Sequence, residues 1–516
     1  MSTDVPPAVP LPPAPLPDDP TLLKAMLAEL LATLRQRDQE LEHIRHRLDL
    51  LLRRLYGPRA EKFDPAQPSL FDDVPPQTPA LPPVAPAPAA EAPAPQRGHG
   101  RRRLPDSLPR LRFEHTLSPT ECACPACGTT RTRIAEDSSE QLDYKPAALF
   151  VVEHIRHVYA CPRCQGQLVT APRPDAAIDR GLPGAGLLAH IAVSKYLDHL
   201  PLHRLERIFG RHGLELPRST TCGWMAQLAE LVRPAYELMR REVLGSRVVQ
   251  TDDTIVPVQD KSREHCRQAR AWVYLGDQAH PFTVFDYTPD RSRDGPAQFL
   301  GNYQGFLQAD AYAGYDQLFA AGKVVEVGCW AHARRKFYDH KDAAPELAHE
   351  ALARIAQLYA VEKQARERGL DADAVRALRQ QQSLPLLTAL RQWLLERQPE
   401  LLPKNPLRGA IDYCLNQWAA LTRFTEEGWL SIDNNAAERA LRGVAVGRKN
   451  WLFAGSDAGG RTAAVLFSLT ASCHQAGVDA FAWLRALIVR FSAGPVTEAE
   501  LRELLPDRWH AALPPA

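Results

Sequence analysis

The chain has 516 residues, 45% of them hydrophobic and 24% charged, and a formal net charge of +1. Length and apolar content predict several domains with real cores, and the near-zero charge excludes a uniform polycation, so any nucleic-acid contact must come from local basic segments. Ten cysteines are too sparse for a disulfide scaffold; no signal-peptide pattern opens the chain and no apolar run reaches membrane-spanning length, so a soluble protein of a reducing cytoplasm is expected, with no membrane partner.

Residues 1–19 form a proline-rich tail that cannot pack as helix or strand. A leucine-zipper-like helix is expected over 20–63: Pro20 opens it behind Asp18 and Asp19, and Leu27, Leu34, Leu41, Leu48 and Leu55 recur at sevens. Leu30, Ile44 and Leu51 fill the companion seam, which Arg37 interrupts. Such a seam lies either on its own protein or on a second copy; no folded core adjoins it in sequence, which favours a homo-oligomer through residues 22–55. Residues 64–96, rich in proline and alanine, read as a linker.

A basic segment and a metal-binding β module are expected over 97–175. Arg101, Arg102 and Arg103 lead a run that is either a solvated charge cluster or a DNA-backbone contact. Cys124 and Cys127, then Cys161 and Cys164, form two Cys-x-x-Cys turns joined by strand-like sequence. Four thiolates in that pattern suit one structural Zn²⁺; the competing reading is four reduced cysteines in a small core. The gap between the pairs exceeds the usual ribbon spacing, and Cys122 is a further candidate ligand.

Residues 181–245 have helical periodicity with a glycine-bounded turn, and Ser219 is placed to cap a further helix. This is either a helix-turn-helix that brings Arg218, Thr220 and Thr221 to a DNA groove or a plain helical bundle. From 246 to 342 strands and helices mix: "SRVVQTDDTIVPVQ" ends a β-branched run on Asp252 and Asp253, "GFLQADAYAGYDQL" ends another on Asp310, and "VVEVGCWAHARRKFYDH" runs from strand into helix. Residues 343–428 read as helices alone. In 429–470, "DNNAAERALR" resumes a helix that Asp433 is expected to cap and that carries Glu438, and 471–516 is a C-terminal helical segment. If the helical block folds out of line, Glu438 returns to the sheet beside Asp252 and Asp310. Three carboxylates so gathered would suit two hard divalent cations acting on a phosphodiester.

"TDDT", "DAYAGY", "GCWAHARRKF" and "DNNAAERALR", in this order behind Cys-x-x-Cys pairs, resemble the transposases of the insertion sequence 66 family, of the DDE superfamily. The likeness runs from the leucine-rich helix and "LYGPRAEKF" to "SLTASCHQAGVDAFAWLRALI". It implies a multidomain α+β protein: coiled-coil helix, zinc-binding β module, helix-turn-helix region, and an RNase H-like α/β core with an all-helical insertion. It implies a catalytic triad of Asp252, Asp310 and Glu438 holding two Mg²⁺ or Mn²⁺. Asp253 stands where members usually have glutamate. Cys329 and His332 match a Cys-x-x-His string, with an active-site support or DNA-contacting role. Arg439 and Arg442 are placed either to meet phosphate or to form ion pairs within the helix, and Arg335 and Lys336 are candidate DNA contacts. The implied activity is metal-dependent 3′-end cleavage and strand transfer, on terminal inverted repeats and target DNA in the nucleoid, with possible companion proteins of the same element. A catalytically silent DNA-binding regulator and a nuclease that cuts without joining are the rival readings.

Overall fold

The computed structural model describes residues 19–37 and, apart from breaks at 105, 107, 119–120, 124–128, 146–147, 162, 164–167, 180 and 261, residues 104–509. The expected tail, the linker, Leu41 to Leu55 of the zipper, Arg101 to Arg103, and Cys124, Cys127 and Cys164 lie outside the described residues. The chain divides into two compact units, residues 16–103 and the remainder. In the first, helix α1 spans 20–37. Its first turn is capped by Asp19, whose carboxylate accepts from Thr21 N at 2.9 Å. Leu27, Leu30, Leu31 and Leu34 are exposed on it.

The second unit begins with a sheet built on one long hairpin. Strand β2 (Thr132–Lys145) runs antiparallel to β3 (Ala148–Ala160); β1 (Arg110–His115) lies parallel on the other side of β3, and β4 (Val169–Thr170) pairs with the end of β3. Helix α2 (Ala185–Tyr196) docks on this sheet through Asp143, whose carboxylate accepts from Leu187 N at 2.9 Å in the helix's first turn. Gly186 lets the backbones meet, since a Cβ there would stand 2.3 Å from the Tyr144 carbonyl. Helices α3 (Leu202–Arg211), α4 (Arg218–Leu231) and α5 (Arg233–Leu244) follow, with Leu205, Phe209, Trp224, Leu228 and Leu238 in the core. Gly213, at φ 74, turns the chain between α3 and α4. Helix α4 starts one residue before the expected cap: Pro217, extended at ψ 142, is its N-cap without a side-chain bond, and Ser219 is already helical.

Next comes a five-stranded sheet in the order β7–β6–β5–β8–β9. Strands β5 (Val248–Val258), β6 (Arg267–Leu275) and β7 (Thr283–Thr288) are antiparallel neighbours; β8 (Gly305–Gln308) and β9 (Val324–Val327) extend the sheet in parallel beyond β5. Between them run α6 (Asp294–Leu300), α7 (Asp316–Ala320) and, after β9, α8 (Trp330–Asp339).

Residues 345–425 form helices only: α9 (Pro345–Glu367), α10 (Ala372–Leu378), a π turn at Arg379–Ser383, α11 (Leu384–Arg397), α12 (Pro406–Asn416) and α13 (Trp418–Thr422). They close their own core with α8, in which Trp330, Phe337, Leu352, Ile355, Leu358, Leu394 and Ile411 are buried. A buried ion pair, Arg379 to Glu362 at 2.7 Å, ties α9 to the π turn, and the same guanidinium donates to the Phe424 and Glu427 carbonyls. Helix α14 (Asn435–Trp451) then returns to the sheet and packs on β5 and β6. Helix α15 (Asp457–Gln475) covers the edge strand β7: Ser468 and Ser472, one turn apart, accept from Phe285 N and Thr283 N at 2.8 and 3.1 Å, which occupies donors an exposed edge would leave open. Helices α16 (Ala480–Ser492) and α17 (Glu498–Glu503) end the described chain, α16 lying against α2.

Candidate active site

The parallel pairing of β5 with β8 aligns Gln250 with Gln308. Asp252, within β5, and Asp310, two residues past the end of β8, each follow that aligned pair by two residues, so the register starts both aspartates from the same level of the sheet. The paired glutamines do more than mark the register. Gln250 Nε2 donates to Gln308 Oε1 at 3.0 Å, and the buried Gln308 donates to the Ser431 carbonyl at 2.7 Å. Asn434, fully buried, donates through Nδ2 to the Thr251 carbonyl at 3.2 Å, and its own N–H points at Cys329 Sγ, 3.4 Å away. The segment before α14 is thereby fastened to both strands, and Glu438 follows in the first turn of α14. The expected cap is corrected here: Asn434 is the N-cap, without a side-chain cap bond of its own. Asp433 precedes it and accepts from Asn435 N, Asn435 Nδ2 and the Tyr359 hydroxyl at 3.2, 2.8 and 3.0 Å.

The acids feel one another. Burial, then the negative charge of Asp310, Asp253 and Glu438, pushes the Asp252 carboxyl up from 3.8 to about 7. Glu438 pairs with Arg335 at 3.1 Å and lies 3.5 Å from the His332 ring, so its neighbours come from α8 and not from Arg442 one turn along its own helix. Its Oε1 is buried without a hydrogen bond. Burial holds His332 below the usual imidazole value against the pull of Glu438 and Asp310, which leaves the ring neutral near pH 7. Cys329 is fully buried and its thiol is pushed up to about 12 by burial, so it stays protonated and serves as acceptor for Asn434 N.

Asp253 turns to other partners, as strand alternation requires. Arg270 and Arg291 hold it at 2.9 and 2.8 Å, and Arg291 also reaches Asp310 at 3.6 Å. Arg291 and the amides of Gln250, Gln308 and Asn434 were not legible from spacing; the "DNN" and the glutamine preceding each aspartate by two were the available signals. Ala311, immediately after Asp310, sits at φ 61, a left-handed backbone that a non-glycine residue adopts at a cost of about 1–3 kcal/mol.

The remaining predicted site residues are placed unevenly. Arg439 and Arg442 are exposed on α14. Arg335 is half exposed beside Glu438, while the Lys336 ammonium lies 4.5 Å over the Tyr413 ring of α12. Arg218 is exposed and Thr220 partly so, but Thr221 is 1% exposed and its hydroxyl bonds the Arg218 carbonyl at 3.0 Å, so it is turned into the bundle and cannot meet a groove. The helix before it carries the exposed cations instead: Arg204, Arg207 and Arg211 recur along α3.

Of the four expected zinc ligands only Cys161 lies among the described residues, buried just past the end of β3. Nearby, an antiparallel bridge joins Ala123 to Thr130, and Thr132 pairs with Ala160. Cys122 points its thiol to the Leu117 carbonyl at 3.8 Å. Among the described residues no three His, Cys, Asp or Glu side chains converge on a point that would hold one ion. Nor is any described helix long and apolar enough to cross a membrane.

Comparison with known proteins agrees with this anatomy. The family description "Transposase IS66 family" matches residues 180–462, the zinc-finger binding domain of transposase IS66 matches 121–165, and "Transposase C of IS166 homeodomain" matches 43–112. Two proteins of Sinorhizobium fredii, each described only as an uncharacterized protein, are similar over most of their length. The one named y4jD is 32% identical over 493 residues, 91% of this chain and 94% of its own; y4hP is 34% identical over 432 residues, 79% and 76%. The protein is a mixed α+β member of the IS66 transposase family, with that family's zinc-finger and N-terminal domains, and the family implies a DNA-binding protein of transposase type.

Proposed function

We propose that the chain is a DDE transposase that cleaves the 3′ ends of its own element at terminal inverted repeats and joins them to target DNA. The observation that carries this is the position of Asp252 on β5 and of Asp310 just past the neighbouring β8, each two residues beyond the aligned pair Gln250 and Gln308, with Asp310 and Glu438 close enough to raise the proton affinity of Asp252. The sheet supports an RNase H-like core, since three antiparallel strands followed by two parallel ones, in the order found here, put Asp252 on the central strand and Asp310 just past the end of the strand beside it.

Asp252, Asp310 and Glu438 would hold two Mg²⁺ or Mn²⁺. The donor set fits, because all three are hard oxygen ligands, the ionised Asp252 carboxylate is disfavoured by burial and by neighbouring negative charge, both of which a cation would offset, and Glu438 keeps a buried oxygen without a hydrogen bond. Bound, the ions supply positive charge to the attacking and leaving oxygens. The chain itself does the positioning: Asn434 and Gln308 fix the start of α14 on the sheet, Arg335 and His332 orient Glu438, and Arg291 orients Asp310. In the first step water forms a bond to phosphorus and the element's 3′ oxygen leaves as a hydroxyl. In the second that hydroxyl attacks a target phosphodiester, the target's own 3′ oxygen leaves, and no protein–DNA bond forms. Cys124, Cys127, Cys161 and Cys164 would hold a structural Zn²⁺, and the exposed leucines of α1 support pairing of two copies, so that two ends meet, on DNA in the cytoplasm.

The test is cleavage and strand transfer of labelled DNA from the flanks of this coding sequence, with Mg²⁺ or Mn²⁺ and with any companion proteins encoded alongside. Metal-dependent joining by the wild type, lost in Glu438→Gln with DNA binding retained, supports the reading. Binding without cleavage by either protein refutes it in favour of a regulator.

A further inference from the structure

Helix α14 carries more than Glu438. On its exposed side Arg439, Arg442, Val446 and Lys449 recur at helical spacing, a stripe that begins beside Glu438 and runs to the helix end. There the chain makes an unusual exit. Leu452 has φ 66 and ψ −49, and Phe453 N donates to the Trp451 carbonyl at 2.8 Å, which is the γ-turn of the rare, strained hand. The next residue is pinned: Ala454 N donates to the Pro257 carbonyl and its own carbonyl accepts from Gln259 N, both at 2.8 Å, continuing the edge of β5. Held on both sides, Leu452 and Phe453 project outward, 64% and 44% exposed. A leucine here is unfavourable twice, for a backbone that glycine adopts freely and for an apolar side chain left in water. The last turn of α14 is also bonded to the loop before α3, Asn450 Nδ2 to the His199 carbonyl at 3.2 Å.

An apolar tip flanked by cations has the chemistry of a wedge into duplex DNA: guanidinium and ammonium groups neutralise the backbone while aliphatic and aromatic side chains enter between bases and unstack them. We infer that Leu452 and Phe453 are such a wedge, which distorts the element-end duplex while Arg439, Arg442 and Lys449 follow its phosphates from the active site. This rests on the transposase reading for the identity of the DNA and for the cut at Glu438. Fourteen residues of helix at about 1.5 Å each span about 21 Å, and at about 3.4 Å per base pair the distortion falls roughly six base pairs from the cleaved phosphate.

The experiment uses full-length protein in a Glu438→Gln background, so the DNA stays whole, on the flanking-sequence duplex with 2-aminopurine scanned inward from the cleaved end. A fluorescence rise confined to positions near the sixth, lost in Leu452→Gly/Phe453→Ser while binding affinity and melting temperature hold, is the expected result. The same pair of substitutions in otherwise wild-type protein should slow cleavage about ten- to a hundredfold. A rise that survives the substitutions, no rise at any position, or a change in protomer number as the only effect of the variant would overturn the wedge, the last by assigning the tip to a protein contact. A wedge-dependent rise in DNA that the wild type never cleaves would keep the wedge and sink the transposase reading.

Discussion

Replacing Asp252 by asparagine should stabilise the metal-free protein while destroying its activity. The carboxyl is raised from 3.8 to about 7, so between those values the folded chain holds a proton that the unfolded chain has lost. Its contribution is therefore full below pH 3.8, declines as pH rises through 7, and is gone above it. At about 1.4 kcal/mol per tenfold change in proton affinity the whole span is about 4 kcal/mol, of which about 2–3 kcal/mol falls between pH 5 and 8. Asparagine has no proton to lose and keeps an oxygen to accept from Asp253 N, the 2.8 Å bond that Asp252 makes. Urea unfolding in EDTA, followed by tryptophan fluorescence, should show the Asp252→Asn protein gaining about 2–3 kcal/mol on the wild type as pH goes from 5 to 8. Added Mg²⁺ should then stabilise the wild type and leave the variant unmoved, since only a protein whose folded form binds the ion gains from it. A stability difference flat with pH, or a variant less stable than wild type at pH 8, would refute the claim that burial and neighbouring negative charge raise this carboxyl.

Arg379→Ala removes one side of a buried pair whose side chains are 3% and 8% exposed, and should cost about 3–5 kcal/mol in chemical denaturation, whereas Arg379→Met with Glu362→Leu should cost far less. Arg439→Ala and Arg442→Ala should each lower the slope of log affinity against log salt by about one for end DNA, with little change in melting temperature, because both are exposed. Metal analysis of the purified protein should find one zinc per chain, lost in Cys161→Ala; a zinc content unchanged by that substitution would remove Cys161 from the ligand set.

What could be read from sequence was whatever the backbone repeats locally. The β-branched run of "SRVVQTDDTIVPVQ" became β5, and the helix-only stretch 343–428 became α9 to α13, because strand and helix patterns are properties of a few neighbouring residues. Local rules failed where tertiary partners decide. Asp433 looked like a cap, but its carboxylate is taken by Tyr359 from a helix 74 residues away, and the N-cap passed to Asn434, whose side chain bonds a strand instead. Thr221 has the composition of a groove contact, yet its position on α4 faces the bundle, while the arginines of α3 stay outside. Glu438 had an obvious local partner in Arg442 and found Arg335 and His332, because packing of α14 on β5 and β6 faces it toward α8.

The same contacts argue that the helical block is a condition for the site rather than an appendage to it. Both ends of the segment that delivers Glu438 are held by residues the block supplies or braces. Gly328 N donates to the Ala420 carbonyl at 2.9 Å and Trp330 Nε1 to the Leu421 carbonyl at 2.8 Å, which fixes the start of α8 to α13. Trp330 N in turn donates to the Ile432 carbonyl at 3.1 Å, and Tyr359 of α9 reaches Asp433. Asp252 and Asp310 take their level from strand pairing, although Val248 and Val327 of the sheet also pack into the block's core, whereas Glu438 is set by a chain of bonds that passes through α13, α8 and α9. A loss of packing in the block would therefore leave the two aspartates in place and misplace the glutamate, so that catalysis would fail before the sheet does.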